Sequence, residues 1–309
     1  MIFNRKDIIK QFPWLNEKNH KFIISADYNG LICASFLSHI LNWELIGYYD
    51  LESLWISKEK VENYNDIIWV DLNILPKIGR AVGGHIVSLP KQTPKGFQTS
   101  CNPNVLSNLT SADFQNKFPF STLIFLLWLH NYQIKKTLFA RLLVLHSDDT
   151  WLKCQEYNEN VNRWVDIMQE FNWKWLLQKV DQSMFEERVD QILYPELNQI
   201  GAISAFGKLK SKKLNITSKQ FQFNPDWDEN IILNLFNLFG NEFGWTPPNL
   251  PEINKCIIGK RQKIDLAEIE QHGLSKFLFE KSVFSYAIPS PNIFNYTSFK
   301  QNQKTHILD

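Results

Sequence analysis

The chain is poor in cysteine and methionine, carries almost no net charge and has no long apolar run. Each shortage excludes something. Four cysteines among 309 residues, Cys33, Cys101, Cys154 and Cys256, stand far apart with no CxxC pair. That spacing excludes a zinc ribbon and a thioredoxin-type redox motif, and it reads as a reduced, cytoplasmic protein. Lys plus Arg number 33 against 32 Asp plus Glu, a formal charge of +1. Binding nucleic acid by bulk positive charge is thereby excluded, because counterion release needs gathered cations; local basic grooves stay open. The most apolar stretch, 120–129, falls far short of the ~20 residues that span a bilayer. The first residues, MIFNRKDIIKQFPW, lack the apolar core of a signal peptide, so neither export nor membrane insertion is expected.

Aromatics and aliphatics are plentiful. Hydrophobic residues make up 44% and charged residues 21%, with 23 Phe, 11 Trp and 9 Tyr, enough to bury a sizeable core. The length suggests two domains, with a boundary placed near residue 200: an α/β domain over 1–200, and a smaller domain over 201–309 that binds substrate or a partner.

Short apolar runs at Phe22–Ile24, Leu45–Tyr49 and Ile67–Val70 predict strands, and 82–89 predicts a fourth. Between the first two, Leu31, Ala34, Leu37 and Leu41 recur at helical spacing. That rhythm predicts an α/β fold: a mainly parallel sheet with flanking helices, a helical connecting region over 111–198, and a smaller α+β C-terminal part. Ser121–His130, apolar nearly all round, predicts a buried helix, and Ile134–Leu145 a second. Ser147–Thr150 supplies capping residues for the next, and Val161, Trp164, Met168, Phe171 and Trp175 predict one long amphipathic helix. Beyond 200, strands are expected at 202–206 and 214–223 around the basic turn 208–213, then a helix at Glu229–Phe239.

In open α/β sheets ligands bind outside the carboxyl ends of the strands. Asp27 and Asp71 each follow a predicted strand, and two carboxylates at one sheet edge can hold Mg²⁺ or Mn²⁺. Each is equally readable as a turn or capping Asp. His85, beside Gly83 and Gly84, divides evenly between ligand and turn residue; the other histidines read as core or surface.

The order of segments adds a resemblance. Ser25-Ala26-Asp27-Tyr28-Asn29-Gly30, Asp71-Leu72-Asn73, Gly83-Gly84-His85, Asn102-Pro103-Asn104 and Asp148-Asp149-Thr150-Trp151 together resemble the DHH phosphoesterase family, over roughly 20–155. The resemblance implies a divalent-metal phosphodiesterase acting on short oligonucleotides or nucleotides. Asp27, Asp71, Asp149 and Asn29 would hold Mn²⁺ or Mg²⁺, one ion by ligand count, with His85 and Asp71 in the chemistry. It also implies departures. Ser25 stands where the family has His, Asn29 where it has the second Asp, Gly83-Gly84-His85 where it has Asp-His-His, and the glycine-rich loop expected after 263–273 is missing. The alternative is therefore a catalytically inactive relative that serves as a nucleic-acid- or protein-binding module. A third reading is an unrelated α/β protein whose strand-end acids mimic the motifs. Lys260, Arg261 and Lys263 are the candidate phosphate-binding residues, against the commoner solvated turn.

Overall fold

In the computed structural model, residues 3–57, 60–61, 63–74, 80–204, 207 and 209–299 are described. The chain is mixed α/β and forms two compact units. One comprises Met1–Ile8, Ala26–Ile40 and Pro119–Pro248; the other comprises Ile9–Ser25, Leu41–Phe118 and Asn249–Asp309.

The second unit holds both sheets. Strands β1 (Lys21–Ser25), β2 (Glu44–Tyr49), β3 (Ser53–Ile56), β4 (Ile68–Val70), β5 (Arg80–Val82) and β6 (Lys255–Ile258) form a six-stranded sheet in the order β5-β4-β1-β2-β3-β6. The pairs β1–β2, β1–β4 and β4–β5 are parallel, and β2–β3 and β3–β6 are antiparallel. Phe22, Ile23, Ile24, Ile68, Trp69 and Val70 are fully buried, as strands covered on both faces must be. A three-stranded antiparallel sheet, β7 (Lys260–Asp265), β9 (Ile293–Ser298) and β8 (Val283–Ser290), lies in the same unit.

The expected strands at 22–24, 45–49 and 67–70 are present. The one expected at 82–89 is displaced: β5 ends at Val82, and the segment after it makes only isolated bridges, at Ile86 and Leu89. At Gly83 the chain passes close to Leu72: any Cβ there would lie 2.7 Å from the Leu72 carbonyl oxygen. The expected strand at 214–223 is likewise reduced to bridges at Thr217 and Gln222. At 202–206, residues 202–204 are not strand and the rest lies outside the described residues, as does Lys208.

The first unit is helical. Its helix Thr122–Leu129 is buried at every position, as its all-round apolar sequence requires. The second expected helix is shorter, Leu138–His146. The long helix expected through Val161 to Trp175 is two pieces, Asn158–Ile167 and Trp173–Leu176, because Glu170 takes a left-handed φ of 60° between them. Further on, the helical run Ser183–Gln199 widens into a π turn at Val189–Leu193 just before Pro195, which has no N–H to give the helix ladder. The helix expected at 229–239 runs Glu229–Phe243 and stops at Gly244, φ 73°.

This packing generates two predictions. Gly47 in β2 sits opposite Ile56, and a Cβ at Gly47 would lie 2.3 Å from the Trp55 carbonyl oxygen, a backbone atom that cannot swing aside. Gly47→Ala is expected to cost about 1–3 kcal/mol of unfolding free energy in urea titrations. His130 packs edge-on against Phe36, and burial pushes its imidazole down to about 4. Between that value and the ordinary 6.5 the unfolded chain binds a proton that the native chain refuses. Stability should therefore fall as pH drops from 6.5 to 4, by about 3 kcal/mol from this group. His130→Phe, which keeps a ring without the titration, should flatten that loss in denaturant titrations across the window.

Candidate functional site

In the second unit the candidate residues gather at the carboxyl ends of β1 and β4. These strands run parallel with Ile24 opposite Val70, so the next residues, Ser25 and Asp71, emerge side by side. The Ser25 hydroxyl donates to Asp71 Oδ2 at 2.7 Å. Ser25 is buried and Asp71 half-buried, with a left-handed φ of 63° that turns the chain off the sheet.

The turn that follows is fastened by Asn102. Its amide nitrogen donates to Asn73 Oδ1 at 3.1 Å and to the His85 carbonyl oxygen at 2.8 Å. Its amide oxygen accepts from the backbone N–H of Asn104 and Val105, capping the short helix Pro103–Leu106. Asn104 repeats the pattern, donating to the Gly84 carbonyl oxygen at 2.7 Å and accepting from the Phe118 N–H. One Asn-Pro-Asn turn thus holds both the Asp71–Asn73 turn and the Gly83–His85 loop. The His85 side chain is exposed.

The first unit holds a second polar cluster, built where the helix Tyr28–Leu41 begins. Asp27 Oδ1 accepts from the Gly30 N–H at 2.9 Å, a helix-capping role. Asn29 is buried, and its amide oxygen accepts from the Ser147 hydroxyl and, at 3.7 Å, from the Cys33 thiol. Asp148 and Asp149 are consecutive left-handed residues, φ 51° and 58°, a strained turn for non-glycine side chains. Asp149 precedes the helix Thr150–Glu156, but its carboxylate does not cap it. The side chain is buried and accepts from Gln220 Nε2 at 3.3 Å; the same nitrogen donates to the His146 carbonyl oxygen. His146 is a core residue, its ring edge-on to Tyr28 and Tyr194. Burial pushes both tyrosine hydroxyls well above the usual range, for Tyr194 with the Asp149 charge adding to it.

No family model, curated protein or solved structure matches this chain. The geometry therefore carries the functional argument.

Asp71 Oδ2 is engaged by Ser25, Asn29 Oδ1 by Ser147 and Asp149 Oδ1 by Gln220. Among the described residues, no group of three or more His, Cys, Asp or Glu side chains is placed to hold a metal ion. No helix among them is long and apolar enough to cross a membrane.

The basic candidates lie on β7, an outer strand of its sheet, with Lys260, Arg261 and Lys263 all exposed. Strand alternation puts Arg261 and Lys263 on one face, opposite Thr297 and Asn295, and Lys260 on the other. The Arg261 face looks toward the carboxyl end of β2. There Ser285, in register with Thr297, meets the Tyr49 hydroxyl at 2.6 Å, and Thr297 Oγ1 donates to the Leu51 carbonyl oxygen. Burial raises the Tyr49 hydroxyl far above its usual range, opposed by the hydrogen bonds to Ser285 and Thr297 and, least of all, by the Arg261 charge.

Sequence reasoning singled out the Asn102-Pro103-Asn104 turn without giving Asn102 a role, and it missed Gln220. The first had a visible signal, Asn before Pro at a helix start; the second had none. Asn102→Ala would orphan the Asn73 amide oxygen and the His85 carbonyl. At about 1–3 kcal/mol for each buried group left unpaired, the unfolding free energy should drop by at least ~2 kcal/mol. Chemical denaturation checks this, and a drop under ~0.5 kcal/mol contradicts the fastening role.

Proposed function

We propose that this chain is a phosphoesterase-like protein that binds short nucleic acid or nucleotides without metal-dependent hydrolysis. The observation that carries the proposal is the 2.7 Å bond from Ser25 to Asp71. Ser25 stands where the resembled family places an imidazole ligand. Instead of completing a metal site, its hydroxyl occupies the neighbouring carboxylate. The hydroxyl proton pairs Oδ2, so that oxygen is not left without a hydrogen bond when no cation is bound. The partners of Asn29 and Asp149 act in the same direction.

Binding is assigned to Arg261 and Lys263, whose shared face looks toward the carboxyl end of the parallel strands, where open α/β sheets receive ligands. An arginine there suits a phosphate, since its planar fork donates two parallel hydrogen bonds. Lys263, two residues along the strand, suits the next phosphate of a short oligomer.

Calorimetry with Mn²⁺ is expected to show no tight binding, and a short single-stranded oligonucleotide should stay uncleaved with Mn²⁺ or Mg²⁺ present. The same oligonucleotide should bind in a salt-dependent way. Arg261→Gln with Lys263→Gln should lower the slope of log affinity against log salt by ~0.7 for each phosphate no longer neutralised. Manganese-dependent nucleotide release that disappears in Asp71→Ala would overturn this in favour of a working phosphodiesterase.

A further inference from the structure

Residues 198–225 contain five lysines and no Asp or Glu, in a chain whose total charge is only +1. Part of this segment folds into a turn of fixed shape. Lys210 pairs with Thr217 as a two-residue bridge, the Ser211 N–H donates to the Ile216 carbonyl oxygen at 2.7 Å, and the Ser218 N–H donates to the Leu209 carbonyl oxygen at 3.1 Å. The tip, 212–215, includes Asn215 at a φ of 60°. Lys210, Lys212 and Lys213 are exposed.

The hold beneath this tip is unusual. Glu186, in the helix Ser183–Arg188, is completely buried. Its Oε2 accepts from the Ser211 hydroxyl and from the Leu214 N–H at 3.1 Å, while Ser211 Oγ also accepts from the Lys213 N–H at 3.1 Å. Glu186 Oε1 is buried without a hydrogen-bond partner among the described residues. Tyr194 fastens the base of the turn, its hydroxyl donating to the Thr217 carbonyl oxygen at 3.1 Å, and Lys219 lies over the Tyr194 ring at 5.3 Å.

A fully buried, half-satisfied carboxylate is costly, and a surface turn with no further duty does not need one. Holding lysines in place has a return only if something binds them, because a preformed cationic turn loses less conformational freedom on meeting a polyanion. We infer that the turn 209–218 is a nucleic-acid contact, in which Lys210 and Lys213 meet successive backbone phosphates and Glu186 is a positioning residue. Lys212 is a reserve cation, held at 2.8 Å by Glu156. The choice of nucleic acid over other polyanions rests on the function proposed above; the turn itself stands on its own geometry.

The test is fluorescence anisotropy of a labelled oligothymidylate titrated with the full chain at rising salt. Lys210→Gln with Lys213→Gln should weaken binding and lower the slope of log affinity against log salt by ~1.4, that is ~0.7 for each phosphate. Glu156→Gln, which releases Lys212, should strengthen binding and steepen the slope. Ser211→Ala and Glu186→Gln each keep every lysine, the first removing one of the two hydrogen bonds to Glu186 and the second its charge; both should weaken binding with the slope unchanged, and unchanged affinity in both would overturn the part given to Glu186. The lysine variants alter exposed side chains, so their melting curves should match the wild type. If wild-type affinity survives the turn substitutions but falls in Arg261→Gln with Lys263→Gln, the turn proposal is overturned and the function stands. If the wild type binds no oligonucleotide, both are overturned, and binding to phosphatidylserine vesicles alone would reassign the turn to a membrane surface.

Discussion

A buried polar group left without a partner costs about 1–3 kcal/mol, and both polar clusters of this chain are built around that demand. In the unit that holds the sheets, amide and carbonyl groups would be stranded where the strands end. Asn102 and Asn104 answer them, each using its side-chain nitrogen on one loop and its oxygen on another segment's N–H. In the helical unit, Ser147 answers the Asn29 amide oxygen and Gln220 answers one oxygen of Asp149 around the start of one helix. The chemistry of these residues, hydroxyls and amides rather than imidazoles, decides what they hold. An amide supplies both a donor and an acceptor and so can close a network on itself. An imidazole and a pair of carboxylates cannot close without a cation or protons from elsewhere.

The sheet was legible in sequence where strands are buried on both faces. Ile23, Ile24, Trp69 and Val70 are fully covered, and such strands read as plain apolar runs. β5 was misplaced because it is three residues headed by Arg80, while the more apolar stretch after it makes only isolated bridges. β3 went unread for the same shortness. The helix expected through Val161 to Trp175 failed differently. Val161, Trp164 and Met168 are buried but Phe171 and Trp175 only half-buried, so the spacing reported the buried face as far as Met168, and the break at Glu170 ends the helix.

The candidate site divides along a similar line. Positions fixed by a strand end were legible, because the carboxyl end of a parallel strand is visible as the close of an apolar run: Ser25 and Asp71 lie there. What each residue does was not legible, since the partner is distant in sequence. Ser25 and Asp71 are 46 residues apart, and Asp149 and Gln220 are 71. Spacing suggested that the acids face a common ion; only the closed chain shows which hydrogen bonds they accept.

Charge follows a longer pattern that composition conceals. The lysine-only stretch 198–225 is followed by 226–254, which carries five acids and neither Lys nor Arg. A balance of +1 thus averages over blocks of opposite sign, and average charge says little about where a polyanion can dock. The two basic surfaces also differ in kind. On β7 the cations are set by strand alternation, which needs no side-chain support and fixes their spacing at two residues along a strand. At the turn 209–218 no regular ladder exists to set the geometry, and the buried carboxylate of Glu186 stands in for one. There the buried acid adds to the two cross-turn backbone hydrogen bonds and the Tyr194–Thr217 bond that shape the turn.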